Sequence, residues 1–354
     1  MSDPVVVSPP AAQSQLLSAF KAAKAKNPKL RTRDLAAVLE VSEAEIVAAG
    51  CLGTATPLRP DWAALVKALP KLGQVMTLVR NEACVHEKVG TYTKVSTFAS
   101  MGLVLDPDID LRLFFDRWHY AYALREEMDQ GPRFSLQIFD CDGTAVQKIF
   151  LRADSDSAAF LLLVADFATP AIGPPQLLPA PALPVERPDA DIDQAALRQR
   201  WEDLQDVHDF HAMLKTLGCA RRQAFRLVGT DFARPLSNDR FQAALEAAGE
   251  SALPVMVFVG SPGVIQIHSG PVKRLQRMGP WFNVLDPGFN LHLREDLIDQ
   301  TWLVIKPTRD GIVTSIEIFD ATGLQIAWIF GLRKPGQAEN PAWQDLVARL
   351  EAKS

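Results

Sequence analysis

The chain has 354 residues, enough for about two domains that each bury a core, and its 48% hydrophobic and 22% charged residues exclude a disordered or fibrous protein. A net charge of −5 argues against a general binder of nucleic acid or anionic membranes. The four cysteines are scattered without a CxxC pair, which argues against a disulfide framework and a thiolate zinc site.

The N-terminal residues MSDPVVVSPPAAQ lack the basic and apolar regions of a signal peptide, and residues 1–12 are predicted to form a disordered tail. The longest apolar runs, such as FLLLVADFA (160–168), are too short to span a bilayer. We therefore expect a cytoplasmic protein that is not membrane-embedded.

Helices are predicted over residues 13–50, where RDLAAVLEVSEAEIVAAG (33–50) has the pattern of a helix-turn-helix. Its second helix, SEAEIVAAG, carries glutamates and no lysine or arginine, so it would repel phosphate. We interpret the stretch as plain helical packing, expect no nucleic-acid partner, and rank a transcription regulator below the other classes of function.

An internal repeat is the clearest organisational signal in the chain. GLVLDPDIDLRLFF (102–115) resembles FNVLDPGFNLHLRE (282–295), and LQIFDCDG (136–143) resembles IEIFDATG (316–323), both at an offset of 180 residues. Seven prolines lie between the two copies, which indicates a stiff linker. The predicted domains are a first repeat at 13–167, a proline-rich linker at 168–192, and a second repeat at 193–354.

Each repeat begins with helices, continues with consecutive alternating strands separated by short turns, and ends with a helix. The last helix is NPAWQDLVARL, with Asn340 as its N-cap and Pro341 at its first position. Consecutive strands joined by short turns predict antiparallel pairing. The predicted fold class is therefore α+β, a tandem duplication in which each half is a large antiparallel β-sheet with flanking helices.

The stretch LQDVHDFHAMLK (204–215) places His208 and His211 three residues apart. Helical periodicity puts both on the arc of the apolar residues, so we expect them to face the core. Three interpretations remain open: structural histidines satisfied by hydrogen bonds, a zinc site that lacks an evident third ligand, or an imidazole that ligates a haem iron. The first repeat has Pro28 at the position of His208.

Cations and aromatic residues elsewhere favour the haem interpretation, because haem combines an apolar face with two carboxylates. Arg221, Lys306 and Arg333 follow in the second repeat. In the first repeat, the alternation of DLRLFF predicts that Arg112 and Phe114 share one face of a strand. Each arginine taken singly is also explained by a salt bridge.

Five long motifs resemble the cytoplasmic haemin-degrading and haemin-transport factors of Gram-negative haem uptake systems, the HemS-like family. These motifs are RNEACVHEKVG (80–90), LDPDIDLRLF (105–114), DVHDFHAML (206–214), MGPWFNVLDPGFNLHLRED (278–296) and KPTRDGIVTSIEIFD (306–320). The resemblance covers nearly the whole chain apart from the N-terminal tail and the linker. It implies that haem b is held between the C-terminal sheet and helices.

The resemblance also implies roles for individual residues. His208 matches the proximal iron ligand, Arg112 matches the distal arginine with Phe114 beside it, and Arg221, Lys306 and Arg333 match cations at the haem edge. Trp328 and Phe330 stand where relatives often carry Gln and Tyr, so two hydrogen bonds to the haem rim are expected to be missing. His211 replaces a phenylalanine of many relatives and is a second candidate ligand.

Two classes of function follow from this resemblance. In the first, the protein is a carrier that accepts haem from an inner-membrane ABC importer, sequesters it and passes it on for iron release. In the second, it is an enzyme that opens the porphyrin ring, with Arg112 acting on water, hydroxide or peroxide on the distal side. No flavin or nicotinamide motif is present, so a haem oxygenase or a reductase is expected as the acceptor of haem or the donor of electrons. The carrier is preferred.

Overall fold

The computed structural model describes residues 11–170, 174–182, 186–333 and 336–352. The chain divides into two compact units: unit 1 contains Met1–Val79, Val89–Ala180 and Ser261–Val264, and unit 2 contains Arg80–Lys88, Pro181–Gly260 and Ile265–Ser354. The units follow the two repeats apart from two short exchanged segments, and the boundaries at 167 and 193 stay a prediction. Most of the tail, residues 1–10, and residues 171–173 and 183–185 of the linker lie outside the described residues.

The described residues form ten α-helices and eighteen β-strands. The helices are α1 Ala11–Lys26, α2 Thr32–Val38, α3 Glu43–Ala48, α4 Trp62–Ala68, α5 Ser157–Phe167, α6 Gln194–Glu202, α7 Asp209–Leu217, α8 Arg221–Leu227, α9 Arg240–Glu250 and α10 Pro341–Glu351. The strands are β1 Thr54–Pro57, β2 Val75–Arg80, β3 Cys84–Gly90, β4 Val95–Phe98, β5 Met101–Leu105, β6 Asp110–Phe114, β7 Tyr120–Met128, β8 Gly131–Phe139, β9 Ala145–Leu151, β10 Ala233–Leu236, β11 Val255–Gly260, β12 Val264–Gly270, β13 Leu275–Met278, β14 Trp281–Asp286, β15 Phe289–Arg294, β16 Gln300–Thr308, β17 Gly311–Phe319 and β18 Gln325–Gly331. Over this part of the chain, no helix is long and apolar enough to cross a membrane.

Within unit 1, strands pair in the order β1-β7-β8-β9-β2, with a separate run β6-β5-β4. Within unit 2, the order is β10-β16-β17-β18-β11-β12, with a run β3-β15-β14-β13. Each of these pairings is antiparallel, so the predicted α+β class with antiparallel sheets is confirmed.

The repeat extends to the irregularities of the sheets. A register shift interrupts the pairing of β8 with β9 between Ile138 and Phe139, and the pairing of β17 with β18 between Ile318 and Phe319. The two shifts are 180 residues apart, the offset seen in the sequence. The offset therefore relates equivalent positions of the two repeats, and it allows the two halves to serve as controls for each other.

The closing helix of the second repeat forms as predicted. The Asn340 side chain accepts a hydrogen bond from Ala342 N–H at 3.0 Å and caps α10. Trp343 is fully buried, and its Nε1 donates to the carbonyl of Thr314 at 3.0 Å. A Cβ at Gly331 would lie 2.6 Å from the indole of Trp343, so only glycine allows the helix to approach β18 this closely.

The helical packing predicted for residues 33–50 is also confirmed. The second helix of this stretch, α3, buries Ala44, Ile46 and Val47 against its own unit. Its Glu43 is buried as well and forms an ion pair with Lys148 on β9. The apolar residues of α3 therefore serve the packing of unit 1.

A buried polar cluster lies between β3 and β12 of unit 2. Gln266 Nε2 lies 2.8 Å from His86 Nδ1, and Lys88 Nζ lies 3.3 Å from His268 Nδ1. Burial, followed by the charge of Lys88, lowers the pKa of His268 to about 3. Burial, the neighbouring His268 and Lys88 lower the pKa of His86 in the same direction. Both imidazoles are therefore neutral in the folded chain.

These two histidines predict an acid-sensitive fold. The unfolded chain binds a proton at each imidazole below pH 6.5, whereas the folded chain does so only far below that value. The contribution of the two neutral histidines to the free energy of unfolding is therefore present above pH 6.5 and is lost as the pH falls. The loss is about 2 kcal/mol per histidine between pH 7 and pH 5. The loss should appear in urea unfolding midpoints and shrink in the variants His268→Gln and His86→Gln. The latter introduces the residue that the second repeat has there, Gln266. His211→Gln, which removes an exposed imidazole, should keep the wild-type dependence; equal slopes in all four proteins would contradict the prediction.

Candidate functional site

The face of β11 and β18 that points away from the core of unit 2 carries half-buried aromatic side chains. Val255, Val257 and Val259 point into the core, so the residues between them point outward. Phe258 pairs with Trp328 across the strands, and their rings stack with centroids 5.3 Å apart. The ring of Phe330 meets Phe258 edge-on, with centroids 5.2 Å apart.

The predicted residues Trp328 and Phe330 therefore share one face, and both remain half-buried. Phe258 completes the surface and was not identified from the sequence. Phe258 lies in VMVFVG, a strand in which every residue before the final glycine is apolar, so the sequence does not indicate which side Phe258 faces. The pairing of β11 with β18 shows that it faces Trp328. We name the surface formed by Phe258, Trp328 and Phe330 the aromatic face.

A buried carboxylate lies next to the aromatic face, because Glu317 on β17 is the cross-strand partner of Trp328. Arg221, the first residue of α8, donates two hydrogen bonds to Glu317, from Nε at 2.8 Å and from Nη2 at 3.0 Å. Lys306 Nζ on β16 donates to Glu317 Oε1 at 3.0 Å. The structure thus brings Arg221 and Lys306 together through a residue that sequence reasoning missed.

The ionisation of this cluster is set by burial and by the charges within it. Burial alone would raise the pKa of Glu317, but the two cations outweigh it and lower that pKa to about 2. Burial lowers the pKa of Lys306 to about 8, against the attraction of Glu317. At neutral pH the cluster holds two cations and one anion, so it carries a net charge of +1 beside the aromatic face.

Phe210 of α7 covers the cluster. The Lys306 Nζ lies 4.6 Å and the Arg221 Cζ lies 5.0 Å from the centroid of its ring. On its other side, the ring packs edge-on against the buried Trp201 with centroids 4.7 Å apart. Phe210 therefore fixes the first turn of α7 over the two cations.

The orientation predicted for His208 and His211 is wrong. The continuous helix expected there is interrupted, because α6 ends at Glu202 and α7 begins at Asp209. Leu204 is buried as predicted, whereas both histidines are exposed to solvent.

Side chains in the interruption bind the backbone in place of the helix. Asp206 Oδ1 accepts from His208 N–H at 2.9 Å, and Asp209 Oδ2 accepts from Asp206 N–H at 3.2 Å. Short polar side chains of this kind compete with helical hydrogen bonds.

Asp206 also holds the ring of His208. Its Oδ1 lies 2.6 Å from His208 Nδ1, while the side chain of His208 is 78% exposed. The backbone N–H of His208, followed by its ring, lowers the pKa of Asp206. The carboxylate fixes the imidazole by one nitrogen and leaves Nε2 directed to solvent, the arrangement that metal-ligating histidines commonly have.

Arg333 lies close enough to Asp206 for its positive charge to lower the pKa of that carboxylate. It acts in the same direction on Glu339, a buried residue whose pKa burial nevertheless raises to about 7. The structure thus places Arg333 near Asp206, which precedes α7, and near Glu339, which precedes α10.

Arg112 and Phe114 lie on β6 in unit 1. Leu111 and Leu113 are fully buried, whereas Arg112 and Phe114 are half-exposed on the opposite face, which confirms the predicted alternation. Arg112 forms an ion pair with Asp110. The salt bridge that the sequence analysis gave as the alternative explanation for Arg112 is therefore present.

The first repeat does not reproduce the charged and aromatic surroundings of unit 2. The positions equivalent to Arg221, Lys306, Glu317, Trp328 and Arg333 are occupied by Glu43, Glu126, Gln137, Lys148 and Ala153. Where the second repeat has a buried cation, the first has Glu126, which is paired with Arg133. The site is a property of one repeat.

Comparison with known proteins agrees with a chain that contains two copies of one domain. The model of the Haemin-degrading HemS.ChuX domain matches the chain twice, over residues 40–167 and 218–350. The chain therefore belongs to the haemin-degrading HemS/ChuX family.

Its relatives include carriers and enzymes. The chain is 39% identical over 332 residues to the hemin transport protein HemS of Yersinia enterocolitica, covering 94% of this chain and 96% of that one. It is similar to holo-PhuS, a heme-binding protein from Pseudomonas aeruginosa, with 48% identity, a TM-score of 0.93, and coverage of 96% and 99% of the two chains. It is also similar to the heme-degrading enzyme ChuS of Escherichia coli O157:H7, with 35% identity, a TM-score of 0.89, and coverage of 96% and 99%.

Removal of Glu317 should strongly destabilise unit 2. Glu317→Gln leaves Lys306 buried without its counter-charge, which costs about 3–5 kcal/mol, whereas Lys306→Met combined with Glu317→Gln should recover most of that loss. Glu126→Gln is the matched control, because its partner Arg133 is half-exposed and can be rehydrated; it should cost about 1 kcal/mol or less. Urea unfolding without haem measures all three. Equal losses for Glu317→Gln and Glu126→Gln would refute the proposed dependence on Glu317.

Proposed function

We propose that this protein is a cytoplasmic haem-binding protein of a haem uptake system, which accepts imported haem, sequesters it and passes it on for iron release. The observation that carries the proposal is the aromatic face of unit 2 beside the positively charged Glu317 cluster. A porphyrin needs an apolar wall for its ring and cations for its two carboxylates. The residues of unit 2 fit both requirements, and PhuS and HemS are named as a haem-binding and a hemin transport protein.

His208 is the proposed ligand of the haem iron. Its Nδ1 is held by Asp206, so the neutral tautomer with a free Nε2 is available for iron. His211 lies in the first turn of α7 and is equally exposed, which makes it the alternative ligand. An imidazole at either position adds a coordinate bond to the apolar contacts of the ring.

The cations of unit 2 are proposed to bind the haem carboxylates. Arg221 uses Nε and Nη2 for Glu317, and its side chain remains partly exposed, so Nη1 is available for a carboxylate oxygen. Arg333 is half-buried near Asp206 and is the second candidate. Lys306 is buried under Phe210, and we propose that it acts through the positive charge of the cluster.

The carrier is preferred to the enzyme because the proposed ligands are exposed. A site that must release its cargo benefits from ligands that solvent and a partner can reach. The alternative, oxidative opening of the porphyrin ring with an external electron donor, is favoured by the similarity to ChuS, which is described as a heme-degrading enzyme and as a heme oxygenase. An inner-membrane ABC importer is the proposed donor of haem, and a haem oxygenase or a reductase is the proposed acceptor of haem or donor of electrons.

One experiment separates the two functions. The haem complex is mixed anaerobically with a reductant, and oxygen is then admitted with catalase present to remove free peroxide. A carrier keeps its Soret band through several such cycles. Loss of the band, with a ring-opened product and released iron, would show the enzyme instead.

Haem titration should give one tight site per chain, because the described helices of the first repeat contain no histidine and because Glu43 and Glu126 stand where the second repeat has Arg221 and Lys306. His208→Ala should change the spectrum and weaken binding, with His211 acting as a weaker ligand. The double variant with His211→Ala should lose at least about tenfold more affinity than either single variant, since no imidazole of α7 is left. Trp328→Lys, which introduces the residue of the first repeat, should weaken binding without changing the iron ligand. An unchanged spectrum in His208→Ala would refute the ligand assignment.

The proposed role of Arg112 on the distal side rests on the family resemblance. A guanidinium near the iron stabilises bound hydroxide, so Arg112→Ala should shift the acid–alkaline spectral transition of the ferric complex to higher pH. Asp110→Asn is the control, because it removes the ion-pair partner and retains the guanidinium. A midpoint that is unmoved in Arg112→Ala would assign Arg112 to its salt bridge with Asp110 alone.

A further inference from the structure

A second group of donor side chains lies in unit 1, where the first repeat differs from the second. His119, at the start of β7, faces Asp140 and Cys141, which follow β8. One potential ligand atom from each of these three residues lies within 4.8 Å of the others. Asp140 and Cys141 are buried, whereas His119 is partly exposed at the rim. The equivalent residues of the second repeat are Asp299, Asp320 and Ala321, so the imidazole and the thiol belong to the first repeat alone.

The turn that carries Asp320 shows what its carboxylate does in the second repeat. Asp320 Oδ1 accepts hydrogen bonds from the backbone N–H groups of Thr322 and Leu324, at 2.9 and 3.0 Å. It also accepts from the Thr322 hydroxyl at 2.7 Å. Oδ1 of Asp320 thus closes its own turn with three hydrogen bonds.

In the first repeat this task passes to another residue. Asp142 stands at the position of Thr322 and accepts from the N–H and the hydroxyl of Thr144, at 2.9 and 3.0 Å. The turn keeps its backbone hydrogen bond from Gly143 N–H to the carbonyl of Asp140, at 3.0 Å. Asp140 Oδ1 keeps one hydrogen bond within its turn, from Cys141 N–H at 2.7 Å, and the carboxylate also faces Arg117 and His119.

The distance between Asp140 and His119 fits two ligands of one metal ion better than a hydrogen bond between the two side chains. Arg117 Nη2 holds Oδ2 at 2.5 Å, whereas Oδ1 lies 3.4 Å from His119 Nδ1. A good hydrogen bond between these atoms would be about 2.7–3.2 Å long. Two ligands of one tetrahedral zinc ion, each bound at about 2.0–2.1 Å, lie about 3.4 Å apart.

We propose that His119 Nδ1, Asp140 Oδ1 and Cys141 Sγ form a binding site for a zinc ion, whose fourth position is open to solvent on the side of His119. Nitrogen and thiolate donors select zinc over magnesium or calcium, which prefer oxygen. The sequence indicated no thiolate zinc site because it contains no CxxC pair. These ligands come instead from two strand ends that are distant in the chain.

The site also borders the start of the linker. Leu178 N–H donates to the carbonyl of Cys141 at 2.9 Å, and Cys141 Sγ lies 3.8 Å from the carbonyl of Pro179. The Tyr120 hydroxyl donates to the carbonyl of Gln176. A bound ion would therefore fix the turn on which residues 176–179 rest.

The test is a zinc titration of the haem-free full-length chain against a chromophoric chelator, with cobalt as a spectroscopic probe. We expect one zinc ion per chain, and with cobalt a thiolate charge-transfer band together with the intense visible bands of tetrahedral geometry. His119→Ala and Cys141→Ala should each weaken binding at least about tenfold. Cys141→Ala should also abolish the thiolate band, because it removes the sulfur ligand. Ala321 of the second repeat shows that this turn folds with alanine at the position of Cys141.

Two controls separate this site from other binders of zinc. Cys51→Ala removes a thiol of the same unit outside the cluster and should leave the affinity unchanged. The double variant His208→Ala, His211→Ala removes the other exposed imidazole pair and should also leave it unchanged. The proposal is overturned if the chain binds no zinc, if the cobalt complex lacks a thiolate band, or if the double variant abolishes binding while Cys141→Ala does not.

Discussion

The salt bridges of Glu317 are the interaction on which the organisation of unit 2 depends. A fully buried carboxylate on β17 binds the first residue of α8 and a lysine of β16, and it also accepts from Gln325 Nε2 of β18 at 2.7 Å. Four elements thus converge on one charge that water does not reach. Such a group tolerates no loss of a partner, because the remaining charges would be buried without compensation.

The same interaction explains why charge and aromatic surface lie together. Glu317 pairs across the strands with Trp328, so the cations that it retains sit beside the aromatic face and cannot turn away into solvent. Phe210 covers Lys306 and Arg221 and thereby fixes the start of α7. The exposed His208 follows from this arrangement, since it precedes by two residues the ring that anchors the helix.

Much of the fold could be predicted from local sequence patterns. Features that depend on which residues of neighbouring strands lie opposite each other could not be predicted in this way. The alternation of β6 and the cap of α10 could be predicted because each depends on residues close together in the sequence. The repeat could be predicted because the two copies have similar sequences. The orientation of His208 was predicted wrongly because Asp206 and Asp209 bind the backbone and interrupt the helix. Glu317 was missed because its importance depends on partners 11 and 96 residues away. A comparison with Gln137 of the first repeat would have marked Glu317 as a charge in an otherwise uncharged strand.

If the imidazole of His208 ligates the haem iron as proposed, its position just before α7 affects how long haem stays bound. A ligating residue inside a helix has fewer side-chain rotamers open to it, because the preceding turn of the helix blocks one of them. His208 is instead the N-cap residue, held by Asp206 and free on its other side. Its imidazole can rotate about its own side-chain bonds while α7 and Phe210 stay in place. The rate at which cargo leaves would then be set by the bond to the ligand and by the approach of a competing one, with the scaffold remaining rigid throughout the exchange.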